Sequence, residues 1–274
     1  MWLPTFVALL LGLAGSAVDG TEQLVDAART EAVASRDVAF DPSAECDLVT
    51  VRALAGRHPD VRQFVVMATS GFAATSGTVE VAARTAGGTW RCQRGPQPAV
   101  FGRRGTRPLV ERRSGDGTTP AGVFPLGRTT AWDGQEFSIF GNDPDPGAIA
   151  PYREVRDEDC WGATPNTPRY QRLIADRGCA GPDEWLASYG DAYAHAAVIG
   201  ANLDPVSGDQ PGEPPYAAAI FLHRNSYDSA GRPKPTSGCI ALDHDDLAAT
   251  VRILDPALDP HFAIGPVDWL RSTG

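Results

Sequence analysis

Residues 221–242, FLHRNSYDSAGRPKPTSGCIAL, decide how the rest of this 274-residue sequence is interpreted. The stretch begins with an apolar run that contains His223 and crosses a loop rich in proline, glycine and serine. It ends with Cys239 and a second apolar run. A thiol attacks as thiolate, and a nearby imidazole can take its proton, so two neighbouring strands would bring together a nucleophile and a base. A buried thiol and a hydrogen-bonded core histidine are the commoner explanation where no other motif supports catalysis.

Further motifs lie on both sides of this stretch. SGDGTTPAGVFPLG spans residues 114–127, AHAAVIGANLDP spans residues 194–205, and TSGCI spans residues 236–240. In this order they resemble the L,D-transpeptidase catalytic-domain family (YkuD-like), in a secreted branch of that family. The resemblance extends over residues 46–268 and depends on several ordered motifs, which are together more specific than any one of them.

The resemblance implies a cysteine enzyme that acts on peptidoglycan stem peptides without a cofactor or a metal. Cys239 matches the nucleophile and His223 the general base, and backbone N–H groups at Gly238 and Cys239 would hold the oxyanion. The usual family motif is Ser/Thr-His-Gly-Cys, and this chain has TSGC, with Ser237 at the position of that histidine. Because a serine does not titrate near neutral pH, His223 is the only base that the motif offers.

Substrate contacts are predicted around the same stretch. Basic side chains on the loop, at Arg224 and Arg232, would hold stem-peptide carboxylates, although loop solubility explains them equally well. An aromatic at Tyr152 would line a groove or pack the cap. Thr236 belongs to the TSGC motif, and Asn202 would orient the substrate or shape a turn.

The remaining pattern predicts a mainly β domain, of the sandwich or barrel type. Short segments rich in β-branched, aromatic or other apolar residues recur between turns and predict strands. They span residues 64–69, 78–84, 89–93, 123–126, 194–201, 217–223 and 262–267. The resemblance implies a loop-rich cap over the cleft at residues 152–185, in which residues 182–184 predict the start of a helix. After Cys239, Asp243 would cap a short helix over residues 244–254.

Two polar groups have simpler explanations than a site. Asp116 belongs to a Gly-Asp-Gly turn that would aim the following strand, and a role in the cleft is only an alternative. His244 with Asp245 and Asp246 imitates a metal site, but acids in the first turn suit the helix dipole, so no metal is predicted.

The N-terminus predicts export. Residues 1–17 combine an apolar core with small residues at a cleavage site, as in a signal peptide, and a short membrane anchor is the alternative. We therefore predict a signal peptide over 1–17, a leader or linker over 18–45, and a catalytic domain over 46–274. The mature protein would lie outside the cell or in the cell wall.

Export makes the five cysteines informative, because an odd cysteine in an oxidising compartment is a free thiol. Pairing of sequence-near cysteines would join Cys46 to Cys92 and Cys160 to Cys179, leaving Cys239. Four cysteines allow three connectivities, so the other two pairings stay open. Motif and cysteine count single out Cys239 independently.

Charge excludes some partners and leaves several functions open. The formal net charge is −10, with no basic cluster long enough to follow a phosphate backbone, which argues against nucleic-acid binding. No stable membrane span is predicted, and a monomer is the default. The functions that stay open are an L,D-transpeptidase, an L,D-carboxypeptidase, another surface thiol acyltransferase and a non-catalytic wall-binding module.

Overall fold

The structure is a computed structural model that describes residues 40, 43–113, 115–164, 167–201 and 217–273. These residues form a mainly β fold, as predicted. The strands are β1 Gln63–Thr69, β2 Ser76–Arg84, β3 Trp90–Val100, β4 Thr106–Pro108, β5 Thr119–Pro125, β6 Thr129–Thr130, β7 Glu136–Phe137, β8 Ile139–Gly141, β9 Tyr152–Glu154, β10 Asp159–Trp161, β11 Leu173–Ala175, β12 Glu184–Trp185, β13 Ala196–Val198, β14 Phe221–Arg224, β15 Ile240–Leu242 and β16 Pro260–Pro266. The α-helices are α1 Leu48–Arg57, α2 His244–Arg252 and α3 Val267–Ser272. Short 3-10 helices span Leu109–Glu111, Leu186–Tyr193 and Pro256–Leu258.

One mixed sheet of eleven strands organises the described residues. Its order is β4-β5-β16-β1-β2-β3-β15-β14-β13-β8-β9. Strands β5 and β13 are far apart in this order, but residues at their ends are hydrogen-bonded to each other. Gly127 N donates to Val198 O at 2.7 Å, and Gly200 N donates to Pro125 O at 2.9 Å. The ends of β5 and β13 are thereby joined, which curves the sheet in the manner of a barrel.

Side chains alternate between the two faces of the sheet and build separate clusters. In β14, Leu222 packs in one cluster with Ile240 and Leu242. Phe221 points to the other face and packs with Phe140 and Trp161, both within 5.0 Å between ring centroids. Such alternation is what a strand imposes on successive residues. It determines that the side chain of His223, two residues after Phe221, shares the face of Phe221.

The predicted cap over residues 152–185 has more regular structure than a set of loops. Strands β10, β11 and β12 form a small three-stranded sheet, and a disulfide joins Cys160 to Cys179. The predicted helix start at residues 182–184 is wrong, because Glu184 pairs with Trp161 in β12 and the 3-10 helix begins only at Leu186. The Asp183 carboxylate instead accepts from the backbone N–H groups of Ala163 and Thr164.

Other predicted elements form with altered ends. Helix α2 starts at His244 as expected and stops at Arg252, two residues early. Asp243 stands at its N-cap position, but its carboxylate accepts from Asn225 Nδ2 and Tyr227 Oη and not from the helix. The predicted strand over residues 194–201 is shorter in the structure, where only β13 forms. Its partners in the sheet, β8 and β14, are themselves short.

The disulfides of the structure are Cys46–Cys92 and Cys160–Cys179, the pairing of sequence-near cysteines, and Cys239 is a free thiol. Among the described residues, no helix combines the length and apolar character needed to cross a membrane. The predicted signal peptide over 1–17, and all of the leader except Phe40 and residues 43–45, lie outside those residues.

Candidate active site

The turn before β15 holds Cys239 in a defined position. Thr236 Oγ1 donates to Cys239 O at 2.6 Å and accepts from Gly238 N at 3.1 Å. Gly238 has φ of +155°, a region that side chains rarely adopt, and a Cβ there would lie 3.1 Å from Thr118 O and 3.2 Å from Arg112 Nη2. Its backbone conformation therefore favours glycine, and a side chain here would also have to displace its neighbours by a few tenths of an ångström. Thr236 has a supporting role in the turn.

Cys239 is a half-buried residue, and its thiol is hydrogen-bonded to the segment that enters β14. Its Sγ donates to Ala219 O at 3.3 Å and accepts from Phe221 N at 3.5 Å. Burial raises the pKa of the Cys239 thiol to about 12, and the Glu184 carboxylate raises it further, while the Phe221 N–H and the Arg112 guanidinium act in the opposite direction. The resting sulfur is thus protonated at neutral pH.

His223 has a defined tautomer. Its Nδ1 lies 2.7 Å from Arg224 O, and because a carbonyl only accepts, Nδ1 carries the proton of the neutral ring. Nε2 is then the nitrogen with a lone pair. Burial lowers the pKa of His223 to about 4, against the raising effect of the Arg224 and Ala192 carbonyls. The imidazole is neutral at pH 7, and so it can accept a proton.

The strand register brings the thiol and the imidazole to the same face. Leu222 pairs with Ile240 and His223 with Ala241 in parallel strands β14 and β15. Cys239 therefore lies beside Phe221, one strand across and two residues along from His223. This offset corresponds to about 8 Å between the Cα atoms. Cys239 also packs in the same cluster as Phe221, on the face that carries His223.

A cavity of about 410 Å³ opens beside Cys239, within the usual size range of ligand pockets. Two of its walls come from elements far apart in the chain, the segment before the Gly-Asp-Gly turn and the cap. Apolar lining comes from residues such as Ala163 and Ile220. Its charged and polar lining residues are Arg112, Arg113, Glu184 and Ser237. The cavity therefore places charges of both signs near the thiol.

Arg112 is the buried cation of this cavity, with 1% of the residue exposed. Its guanidinium lies 3.8 Å from Asp116 Oδ1. Burial lowers the pKa of Arg112 and the Asp116 charge raises it, and an arginine stays protonated in proteins. Asp116 accepts from Arg113 N and from Thr118 N and Oγ1, so it organises the segment around Arg112 and does not line the cavity.

Glu184 is the acid of the cavity. Tyr193 Oη donates to its carboxylate, and burial raises the pKa of Glu184 to about 7. The ring of Tyr193 meets His223 edge-on, with centroids 5.5 Å apart. Burial also raises the pKa of Tyr193 well above its ordinary value, so its hydroxyl remains a donor. Glu184 and Tyr193 thus connect the surroundings of the thiol with those of the imidazole.

The predicted substrate-contact residues are placed differently from one another. Ser237 lines the cavity, where its Oγ accepts from Arg103 Nη1 at 3.1 Å. Arg224 and Arg232 do not line it, and each forms an ion pair, with Asp191 at 2.9 Å and with Asp228 at 2.8 Å. Tyr152 donates to Asp143 O at 2.6 Å and packs against the main cluster. Asn202 lies outside the described residues.

Sequence reasoning missed Arg112, Arg113 and Glu184 as cavity residues. For the arginines a signal existed, because both lie within three residues of the predicted Gly-Asp-Gly motif at 115–117. No comparable signal marks Glu184, whose position depends on how β12 pairs with β10.

Comparison with known families adds one finding. The family model YkuD, described as the L,D-transpeptidase catalytic domain, matches residues 85–261, which is more than half of the chain. The matched region contains Arg112, Glu184, His223 and Cys239. Comparisons with curated proteins and with solved structures produced no match.

Proposed function

The chain belongs to the YkuD family of L,D-transpeptidase catalytic domains, and from this we propose that it is a secreted cysteine L,D-transpeptidase of peptidoglycan stem tetrapeptides. The observation that carries the proposal is the thiol of Cys239, which lines a cavity and shares a sheet face with a neutral imidazole. Two disulfides favour an oxidising compartment and so support export. A monomer remains our expectation.

In the first half-reaction Cys239 Sγ attacks the carbonyl carbon of the diaminopimelate–D-Ala bond. A C–S bond forms while the thiol proton passes to His223 Nε2. The tetrahedral intermediate then collapses, the C–N bond breaks, and His223 returns the proton to the nitrogen of the leaving D-Ala. A thioester on Cys239 remains.

In the second half-reaction the side-chain amine of another stem attacks the thioester. The new amide is a 3–3 cross-link, and His223 moves the proton of the amine to the departing sulfur. Water in place of the amine would release a tripeptide, and the enzyme would be an L,D-carboxypeptidase. Both outcomes use the same acyl-enzyme.

The pKa values of Cys239 and His223 indicate when the thiol proton is transferred relative to the attack on the carbonyl. With the thiol pKa at about 12 and that of His223 at about 4, the resting pair is neutral and not an ion pair. Proton transfer to His223 therefore accompanies attack on the carbonyl, as in general-base catalysis. Hydrogen bonding of Nδ1 to Arg224 O stabilises the imidazolium that forms.

The oxyanion donor that the geometry supports is Arg112. Gly238 N–H already donates to Thr236 Oγ1, which takes one of the two expected backbone donors out of use. The Arg112 guanidinium lies against Gly238, beside the nucleophile, and is sequestered from water. A fixed positive group in such a place stabilises charge that develops on the carbonyl oxygen. Arg113, an exposed residue that lines the cavity, would attract a stem carboxylate.

The test uses a disaccharide-tetrapeptide substrate with product analysis by mass spectrometry. We expect release of D-Ala and a cross-linked dimer from the parent protein and neither product from Cys239→Ala, which leaves no nucleophile. Release of D-Ala without dimer would identify the carboxypeptidase. Turnover retained in Cys239→Ala would reject the cysteine mechanism, and an inactive but folded parent would favour a wall-binding module.

A further inference from the structure

Three side chains from separate segments converge outside the catalytic cavity. Asp143 lies in the loop after β8, His195 directly precedes β13, and His244 begins α2. One potential ligand atom of each lies within 4.8 Å of those of the other two. We call these residues the histidine cluster. Two imidazoles and one carboxylate are a common ligand set of zinc in proteins.

His195 has one ring nitrogen that is hydrogen-bonded and one that is not. It is 4% exposed, and its Nε2 lies 3.1 Å from Pro144 O, so Nε2 carries the proton in the neutral ring. Nδ1 then has a lone pair, and this buried atom has no hydrogen-bond partner. A buried polar atom without a partner is costly and calls for an explanation. A bound cation would supply the missing partner.

His244 has the complementary arrangement. Its Nδ1 lies 3.0 Å from Asp245 Oδ1, while its Nε2 lies 3.5 Å from Asp143 Oδ2. An outer carboxylate or carbonyl that accepts from the second ring nitrogen is the usual support of a metal-binding histidine. Asp245 fills that place for His244, and the Pro144 carbonyl fills it for His195. An ion pair of His244 with Asp143 would leave the buried Nδ1 of His195 unexplained.

We propose that Asp143, His195 and His244 bind one divalent transition-metal ion of the zinc class. Tetrahedral zinc places neighbouring ligand atoms about 3.3 Å apart, close to the 3.5 Å between His244 Nε2 and Asp143 Oδ2. The largest separation, 4.8 Å at most, closes by rotation of Asp143 and His244, whose side chains are 50% and 41% exposed. Three protein ligands leave a fourth position for water.

Such an ion would brace the sheet beside the catalytic strands. It would connect the loop after β8 and the start of β13 to the first residue of α2. This helix follows β15, the strand that begins directly after Cys239. Those connections would be added to the native state alone, since the three segments are far apart in sequence. Metal binding then stabilises the fold by mass action.

The experiment is a zinc chloride titration of the Cys239→Ala protein, in which the free thiol can no longer bind zinc. Calorimetry should give one ion per chain. The melting temperature should rise by roughly 5–10 °C at a hundred times Kd. His244→Asn and Asp143→Asn, both at exposed positions, should each lose more than about tenfold in zinc affinity while staying folded by circular dichroism.

The matched control is His261→Asn, because His261 is another surface histidine next to an aspartate, with Nδ1 3.0 Å from Asp259 O. This variant should bind zinc as the parent does. A parent that binds no zinc overturns the proposal. Equal affinity in the parent and in both cluster variants also overturns it, since zinc would then bind elsewhere.

Discussion

At the scale of single residues, the reactivity of Cys239 depends on two charged neighbours of opposite sign. Glu184 raises the pKa of the thiol and Arg112 lowers it, and both line the same cavity. Glu184 itself is partly protonated at neutral pH, because burial raises its pKa to about 7. The charge beside the thiol therefore changes within the physiological pH range.

Replacement of this acid tests the coupling. In Glu184→Gln the negative charge is absent at every pH, so the pKa of Cys239 should fall and the thiol should react faster with iodoacetamide at pH 9. Each unit of lowering gives tenfold more thiolate, and the weaker nucleophile reduces this gain to about threefold in rate. The measurement is the pH profile of alkylation.

Glu158→Gln is the control for this experiment, because Glu158 pairs with Arg177 at the surface and does not contribute to the pKa of Cys239. Its alkylation profile should match that of the parent. A Glu184→Gln profile that also matches the parent would contradict the coupling.

At the scale of elements, the TSGC turn depends on one hydroxyl. Thr236 Oγ1 both donates to Cys239 O and accepts from Gly238 N, so it closes the turn on itself. Backbone bonds hold the same turn from outside, with Arg103 N donating to Thr236 O and Thr236 N donating to Phe101 O. The strand β15 thus begins from a turn with fixed geometry.

Thr236→Val keeps the shape of the side chain and removes the hydroxyl. Gly238 N then loses its partner, while Cys239 O keeps the longer bond from Thr119 Oγ1 at 3.3 Å, so we expect a loss of about 1–3 kcal/mol in stability. Displacement of Cys239 from its attack position should lower kcat more than tenfold, with a smaller change in KM. Thr130→Val, in the exposed strand β6, is the control. Unchanged kcat in Thr236→Val would show that the turn keeps its shape without the hydroxyl.

At the scale of the whole molecule, the cap completes the site that the main sheet begins. The turn before β15 supplies Cys239, and the cap supplies Ala163 and Glu184 as the facing wall. His223 lies in β14 and is not among the residues that line the cavity. The Cys160–Cys179 disulfide closes the loop that carries this wall. The shape of the cavity beside the thiol therefore depends on how two parts of one chain pack together.

Global stability should depend on pH through buried acids, of which Glu80, in β2, is 5% exposed. Burial raises the pKa of Glu80 from 4.5 to about 7. Between these values the folded state holds a proton that the unfolded state releases, so stability falls as pH rises through this window. His223 acts oppositely, because its lowered pKa costs stability as pH falls from about 6.5 to about 4.

Glu80→Gln isolates the contribution of the acid. The variant should be more stable than the parent by about 1–3 kcal/mol at pH 8 and nearly equal to it at pH 4.5. The substitution is not expected to disturb the N-terminus of α1. The amide oxygen of a glutamine can still accept from Asp47 N, as Glu80 Oε1 does at 2.9 Å. Urea unfolding at both pH values measures the difference. A difference that is independent of pH would contradict the assignment.

The sequence by itself determined two kinds of feature, local structure and residues that belong to ordered motifs. Apolar runs on either side of a proline- and glycine-rich loop predicted strands next to His223 and Cys239, and the recurrence of short segments of this kind between turns predicted the mainly β fold. The boundaries of these strands shifted by a few residues, because a strand ends where its partner ends. Local patterns contain no information about those partners.

Only the tertiary structure decided which charges surround the thiol and which polar atoms lack partners. Arg112 reaches the cavity from a turn more than a hundred residues before Cys239, and Glu184 reaches it through the pairing of β12 with β10. The basic residues predicted to hold the substrate, Arg224 and Arg232, form ion pairs instead. Periodicity records which face a residue takes within its own element, whereas the lining of a cavity depends on contacts between elements that are distant in sequence.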